Sequence, residues 1–352
     1  MKLADGNWEI KKAARKAERE RCQCDHLKGL DIPILDHRSA LKAIGEYVKD
    51  TGSKRMVFHV RNFPLFIQAI GSVKYNCVRD EEGKELTRIY YRGQNSLMSN
   101  DTPFQPSLYR KTSGHWPVKE RADNTIGLQI SVMQDFSENM RNLDKRVVEG
   151  VIQHYGMSSR WIDAVDNIWT ALWFACHKAW VGNKNKAHVH YERRNPYSEQ
   201  AKCPYCYILL LGVDTANMSN QGVPGFWGNE KFELLDLRYA LPSFYIRPHV
   251  QHGILMRSLE RKGSPMYDMS RLVKSIIRID LQDALEWLGN GTGVAVSNIF
   301  PSPAFDTGYD ELLRTEIKIK EKIIELSGKA GCNNDNDLKR LKKANIVLQK
   351  IC

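Results

Sequence analysis

The chain lacks any run of about 18 uncharged apolar residues, so no membrane-spanning helix is expected. Its opening stretch, MKLADGNWEIKKAARKAERE, has no apolar core of the kind a secretion signal needs, which points to a cytoplasmic protein. Cysteine is sparse and scattered, at 22, 24, 77, 176, 203, 206, 332 and 352. That spacing does not fit the disulfide framework of a small secreted domain, and mostly reduced thiols are expected. No internal repeat is visible, and no fingerprint of a small-substrate fold.

Positive charge is what the sequence has in excess. Lys and Arg number 52 against 41 Asp and Glu, a formal net charge of +11. Such a balance favours a polyanionic partner such as RNA, DNA or an acidic protein, although solubility alone also accounts for it. With 352 residues and 42% hydrophobic content, the chain can bury one large core or two ordinary ones.

Periodicity organises the chain as follows. Residues 8–25 form a basic amphipathic pattern with Lys11, Lys12, Arg15, Lys16, Arg19 and Arg21, either a solvated face or a polyanion-binding arm. Residues 39–49 and 63–72 read as short helices. The turn-rich RDEEGKE then leads into a strand, LTRIYYRG. Two amphipathic helices follow, one carrying Ile126, Ile130 and Met133, the other Leu143, Val147, Val148 and Ile152. A largely buried helix is expected from about 168 to 180, because Ile168, Leu172, Ala175 and Ala179 run beside Trp169, Trp173, Cys176 and Trp180. YILLLGVD, HGILMRS and SIIRIDL read as strands, and DALEWLG as a short helix ended by Gly289. From about 309 two Lys- and Glu-rich helices form a hairpin, either an appendage or a partner surface. Strands and helices in irregular order predict an α+β fold with a mixed β core.

Several short motifs carry polar chemistry. In YYRGQ, Arg92 ends a strand where a guanidinium can grip a phosphate or carboxylate, and Gly93 permits a close backbone approach. PSLYR supplies Ser107, Tyr109 and Arg110. In QHYGMSSRWIDAVD, Gly156 breaks a helix, so His154 and Tyr155 lie on its last turn, where the helix dipole favours a protonated imidazole. Arg160 falls in the loop, and Asp163 and Asp166 precede the next helix, where a carboxylate can cap free N–H groups. Taken singly, each of these residues also has an ordinary structural reading.

Taken together, YYRGQ, PSLYR, QHYGMSSRWIDAVDNIWTALWFA, YIRPHVQHGIL and NIFPSPAFD stand in an order that resembles the FRG domain family, over about residues 30–315. Departures are Tyr91 for the usual Phe, Ser159 for Thr, Trp161 for Leu, Ala164 for an aromatic, and Ile254 or Leu255 for a late Phe. Charge and periodicity set off a basic N-terminal helix over 1–29 and the C-terminal hairpin over 309–352, and the resemblance implies an FRG domain over 30–308 with an insertion at 183–206.

FRG domains resemble ADP-ribosyltransferases distantly and recur in toxin–antitoxin and phage-defence settings. The resemblance therefore implies a mixed β core like the ADP-ribosyltransferase fold and NAD as substrate. On that reading Arg92 clamps the pyrophosphate, and Tyr91 or Tyr155 forms an aromatic wall against nicotinamide. Gly93, Gln94, Ser107, Tyr109 and Arg110 complete the NAD site. Arg160 and His154 hold the second phosphate or orient the acceptor, with Asp163 as a carboxylate. Gln251 falls where a late Glu is usual in such transferases; because an amide cannot act as a base, Asp163, Glu230 or Glu233 would have to supply the carboxylate.

Finally, His188, His190, Cys203 and Cys206 could hold zinc as a knuckle, could be plain structural residues, or could form a redox pair through Cys-Pro-Tyr-Cys. Three functions are carried forward. The first is an ADP-ribosyltransferase toxin acting on a macromolecule, RNA in preference to DNA, with a cognate antitoxin as partner and no membrane. The second is an inactive nucleic-acid-binding module. The third is a metal-independent nuclease using His154 with Arg92 or Arg160.

Overall fold

The computed structural model describes residues 46–49, 56–75, 87–97, 104–110, 119–182, 188–199, 204–259, 269–289, 294–328 and 335–351. The basic pattern at 8–25, the RDEEGKE turn and Cys203 lie outside the described residues. In chain order the strands are β1 (Glu46–Lys49), β2 (Met56–Val60), β3 (Thr87–Gln94), β4 (Ile162–Val165), β5 (His177–Val181), β6 (His188–Arg193), β7 (Tyr205–Asp214), β8 (Ser219–Asn220), β9 (Phe226–Gly228), β10 (Phe232–Asp236), β11 (Gly253–Ser258), β12 (Val273–Asp280) and β13 (Lys350–Ile351). One ten-stranded sheet has the order β1-β2-β12-β7-β3-β4-β11-β10-β9-β8; β13-β6-β5 form a second, small sheet. Among the described residues only the β2–β12 and β6–β13 pairs are parallel, so the fold is α+β with a mixed sheet.

The central strand, β7, shows why YILLLGVD carries no polar alternation. Ile208 and Leu210 face one core, shared with helices Phe63–Tyr75, Ile168–Cys176 and Leu281–Trp287. Tyr207, Leu209, Leu211 and Val213 face a second core with Phe104, Met269 and Leu272. A strand covered on both faces needs apolar residues at every position. A third core packs helices Lys119–Phe136, Lys145–His154, Thr307–Gly328 and Asp335–Ala344 against Leu235 and Leu255 of β10 and β11.

Three expectations change. Glu46–Lys49, read as the end of a helix, is a strand whose Tyr47 and Val48 pair with Phe58 and Val57. The apolar helix starts at Ile168 but stops at Cys176; the next five residues form β5 because they pair with β6 from His177↔Arg193 to Val181↔Val189. This pairing overrides the helical stripe and leaves Trp180 half exposed. The C-terminal helices are not an appendage. Tyr309, Leu312, Ile319, Leu341 and Leu348 are buried in the third core beside Val151 and Tyr155.

The same core fixes the QHYG turn. Gly156 has φ +105°, a conformation that side chains rarely adopt, and Gln349 lies against it. The Gln349 backbone N–H donates to the Tyr155 carbonyl at 2.9 Å, and the Tyr309 hydroxyl donates to the Gln349 carbonyl.

Candidate functional site

The large sheet is nearly two sheets. β3 pairs with β7 over eight residues, whereas β3 and β4 share one paired position, Tyr91↔Val165. Beyond it the strands separate, and β4 pairs onward with β11 alone. The Arg92 guanidinium occupies this break: its Nη1 donates to the Asp163 carbonyl and lies 3.9 Å from the Asp163 carboxylate. A side chain thus spans the place where backbone hydrogen bonds would otherwise close the ladder.

Asp163 is open to solvent on one side, with its side chain 55% exposed, and walled by protein on the others. That surrounding bulk pushes its pKa up, against the pull of Arg92 and a hydrogen bond from Gln153 Nε2 at 2.6 Å. Ser159 Oγ in turn donates to Gln153 Oε1, so a Ser–Gln–Asp chain orients the carboxylate. Burial lowers the Arg92 pKa, partly offset by Asp163, but a guanidinium stays charged. Arg110, whose Nε donates to the Gln105 carbonyl at 3.1 Å, adds a second cation whose field reaches both Arg92 and Asp163. The PSLYR and SSR segments are pinned together: Leu108 N–H donates to the Ser159 carbonyl at 3.2 Å, and Ser159 N–H to Ser107 Oγ at 3.3 Å. Arg92 Nε and Gln94 Oε1 are buried polar atoms with no protein partner among the described residues. Two residues apart on one strand, they share a face. Buried polar atoms of this kind take a water or a ligand.

Other expected site residues lie elsewhere. Tyr91 is buried in the first core, on the opposite face of β3 from Arg92. It is no wall for a ligand. Gly93 shares that face and serves packing: a Cβ there would stand 1.8 Å from the Ala171 carbonyl oxygen. Tyr109 is buried and donates to Asp123 at 2.6 Å. Tyr155 is fully buried, donates to Asp306 at 2.7 Å and stacks on Tyr309, so it too is structural. Arg160 grips buried Glu149 through Nε and Nη2 and is not free for a phosphate. Gln251 is buried, with Nε2 donating to the Ile299 carbonyl at 2.8 Å. Glu233 is paired with Arg257, and Glu230 sits exposed in the turn before β10. Neither supplies a carboxylate to the break. The helix cap is Asn167, whose Oδ1 accepts from Trp169 and Thr170, rather than Asp163 or Asp166.

His154 overturns the expectation of a protonated imidazole. Its Nε2 is buried without a partner; burial, aided by the Arg247 charge, lowers its pKa to about 3. The unfolded chain takes up this proton near 6.5 and the folded chain only near 3, so stability is lost as pH falls across that window. His154→Gln is expected to flatten the acid limb of Tm against pH; an unaltered limb would assign the loss to other groups.

Of the four expected zinc ligands, Cys203 lies outside the described residues and the other three do not converge. His188 and His190 point outward from β6 on either side of buried Val189. Cys206 is buried in the first core against Cys176, both as free thiols. Among the described residues no three His, Cys, Asp or Glu converge as metal ligands, and no helix is long and apolar enough to cross a membrane.

Reading the sequence alone missed Gln153, the amide that orients Asp163, although it opens the QHYG motif. It also missed His252, beside Gln251, whose only sequence signal is its place just before a strand. Comparison with curated proteins and with solved structures found no match. Residues 87–184, which run from β3 through the QHYG turn to the end of β5, match the FRG domain model. The chain therefore carries an FRG domain, and the Arg92–Asp163 break lies inside it.

Proposed function

We propose that this protein is an NAD-dependent ADP-ribosyltransferase that binds NAD at the break between β3 and β4. The observation that carries this reading is the guanidinium of Arg92 set beside an open, oriented carboxylate where the sheet fails to close. Arg92 and Arg110 supply the cations a pyrophosphate requires, and the unpartnered Arg92 Nε and Gln94 Oε1 fit a polar ligand. Cleavage of the nicotinamide–ribose bond passes through an oxocarbenium-like state, as in glycoside hydrolysis, and Asp163 is the carboxylate placed to stabilise it. The +11 net charge favours a nucleic acid acceptor, and RNA is the preferred one. In this reading the protein is a toxin of phage defence or a toxin–antitoxin pair, held in check by a cognate protein.

The test is incubation with labelled NAD and separate pools of RNA, DNA and protein. Label is expected in RNA, and Arg92→Ala is expected to lower transfer by roughly 10²–10³-fold. Expression in bacteria should arrest growth in the wild type and not in that variant. A second reading, a nucleic-acid-binding module without turnover, draws on the burial of Gln251 and predicts RNA retention with no label transferred. The nuclease reading is weakened, because His154 Nε2 is buried and burial beside the Arg247 charge makes the ring a poor proton acceptor.

A further inference from the structure

A second polar cluster flanks the Tyr91↔Val165 pair on the side away from Asp163. Asp166 follows β4, and His252 immediately precedes β11, where Gly253 pairs with Val165. His252 has φ +53°, a left-handed conformation that side chains adopt at a cost, here in a residue that is not glycine. Its Nδ1 lies 3.0 Å from Asp166 Oδ1 and 3.1 Å from Arg238 Nη1. Asp166 is itself held: its Oδ2 accepts from Arg238 Nη2 at 2.6 Å. Arg238 is fixed by buried Asp236 through Nε at 2.9 Å and Nη2 at 2.6 Å.

The remaining ring nitrogen can be assigned. Asn167 commits its Oδ1 to the amides of Trp169 and Thr170, so its NH₂ group is what faces His252 Nε2, at 3.4 Å. Asp166 Oδ1, an acceptor at 3.0 Å, draws the ring proton to Nδ1 against the Arg238 Nη1 donor at 3.1 Å, and the lone pair is left on Nε2. The side chain is 38% exposed. A carboxylate-oriented imidazole whose other nitrogen keeps its lone pair, met only by a long contact from the Asn167 amide, is the arrangement of a general base.

We propose that His252, oriented by Asp166 and Arg238, accepts the proton of the nucleophile that captures the ADP-ribosyl group; this rests on the transferase reading above. Asp163 and Asp166 are three residues apart along the chain, on the order of 10 Å in extended backbone. The acceptor would therefore enter from the far side of the Tyr91↔Val165 pair. In the step, the acceptor oxygen bonds to the ribose C1′ and the C1′–nicotinamide bond breaks. Nicotinamide leaves with the electron pair, and the acceptor proton passes to His252 Nε2. Gln251, at the position where a glutamate was expected, is tied into the core; its neighbour performs the proton transfer. His252 is the catalytic residue, and Asp166 and Arg238 are positioning residues.

The experiment compares wild type, His252→Asn and Asp166→Asn with NAD and an RNA pool; asparagine tolerates the left-handed backbone. His252→Asn is expected to lower kcat by roughly 10²–10⁴-fold with the KM for NAD and the Tm held. Asp166→Asn is expected to lower kcat by roughly 10-fold with the KM for NAD and the Tm held, a split that a merely structural role would not give. Asp166, Arg238 and Asp236 are the charges around the ring, with His249 beneath its backbone and Tyr90 beside Asp166. Wild-type kcat in His252→Asn would overturn the assignment and leave the Arg92 reading intact.

If the wild type releases no nicotinamide, the transferase reading falls, and diethyl pyrocarbonate decides the base. Carbethoxylation of His252 faster than that of exposed His188 and His190, and slowed in Asp166→Asn, supports an activated imidazole. Equal rates overturn it.

Discussion

Gly93→Ala is expected to destabilise the protein by about 3 kcal/mol, the upper end of what overpacking a core costs. The added methyl would stand 1.8 Å from the Ala171 carbonyl oxygen and 2.8 Å from the Ala175 amide nitrogen, so it meets backbone and not a side chain that could turn aside. The helix Ile168–Cys176 has nowhere to retreat, because Ala171, Leu172, Ala175 and Cys176 are fully buried. Relief requires the helix to lift off β3, which widens the break and carries Arg92 away from Asp163. Thermal melting should show a Tm lowered by roughly 5–10 °C. An unchanged Tm would mean that the helix does not ride on β3 at this glycine.

Glu149→Ala is expected to cost about 3–5 kcal/mol, the penalty for breaking a buried ion pair. Glu149 is fully buried and accepts from the Arg160 backbone N–H at 2.9 Å, from the Arg160 guanidinium and from Arg257 Nη1 at 3.4 Å. Removing it leaves Arg160 without this carboxylate, while Arg257 keeps Glu233 and the face of Trp161. The loop at Ser158–Trp161 would loosen, and with it the Ser159–Gln153–Asp163 chain. Denaturant unfolding measures the loss. The double variant Glu149→Ala, Arg160→Leu should recover part of it, since no unpaired arginine remains; no recovery would assign the loss to the cavity.

These two residues also show where the sequence stops being informative. The order of motifs was legible, and with it the FRG domain, the α+β class and most strands and helices. YYRGQ, PSLYR and QHYGMSSR do meet, at Arg92, Arg110, Ser107, Ser159 and Asp163. Which side chain faces the opening was not legible. β3 is covered on both faces, so alternation says that Tyr91 and Arg92 point oppositely but not which of them reaches the break. The role of Tyr155 depends on Asp306, 151 residues away, and that of Arg160 on Glu149, one helix earlier. His177–Val181 continued a helical stripe, and only its pairing with β6 makes it a strand. The exposed histidines of β6 and the buried Cys206 looked like one ligand set because spacing does not show that β6 and β7 lie in separate sheets.

The latch that Gln349 forms on the Tyr155–Gly156 turn has a consequence for synthesis. The segment that matches the FRG family ends at residue 184, yet its turn is closed by a backbone hydrogen bond from a residue translated much later. A ribosome-bound chain that has emerged only through β5 carries Arg92 and Asp163 on an unfastened floor. The turn beneath the break is fastened only once the segment carrying Tyr309 and Gln349 has docked. Any activity housed there therefore depends on the segment through Gln349, and a chain truncated before it is expected to be silent.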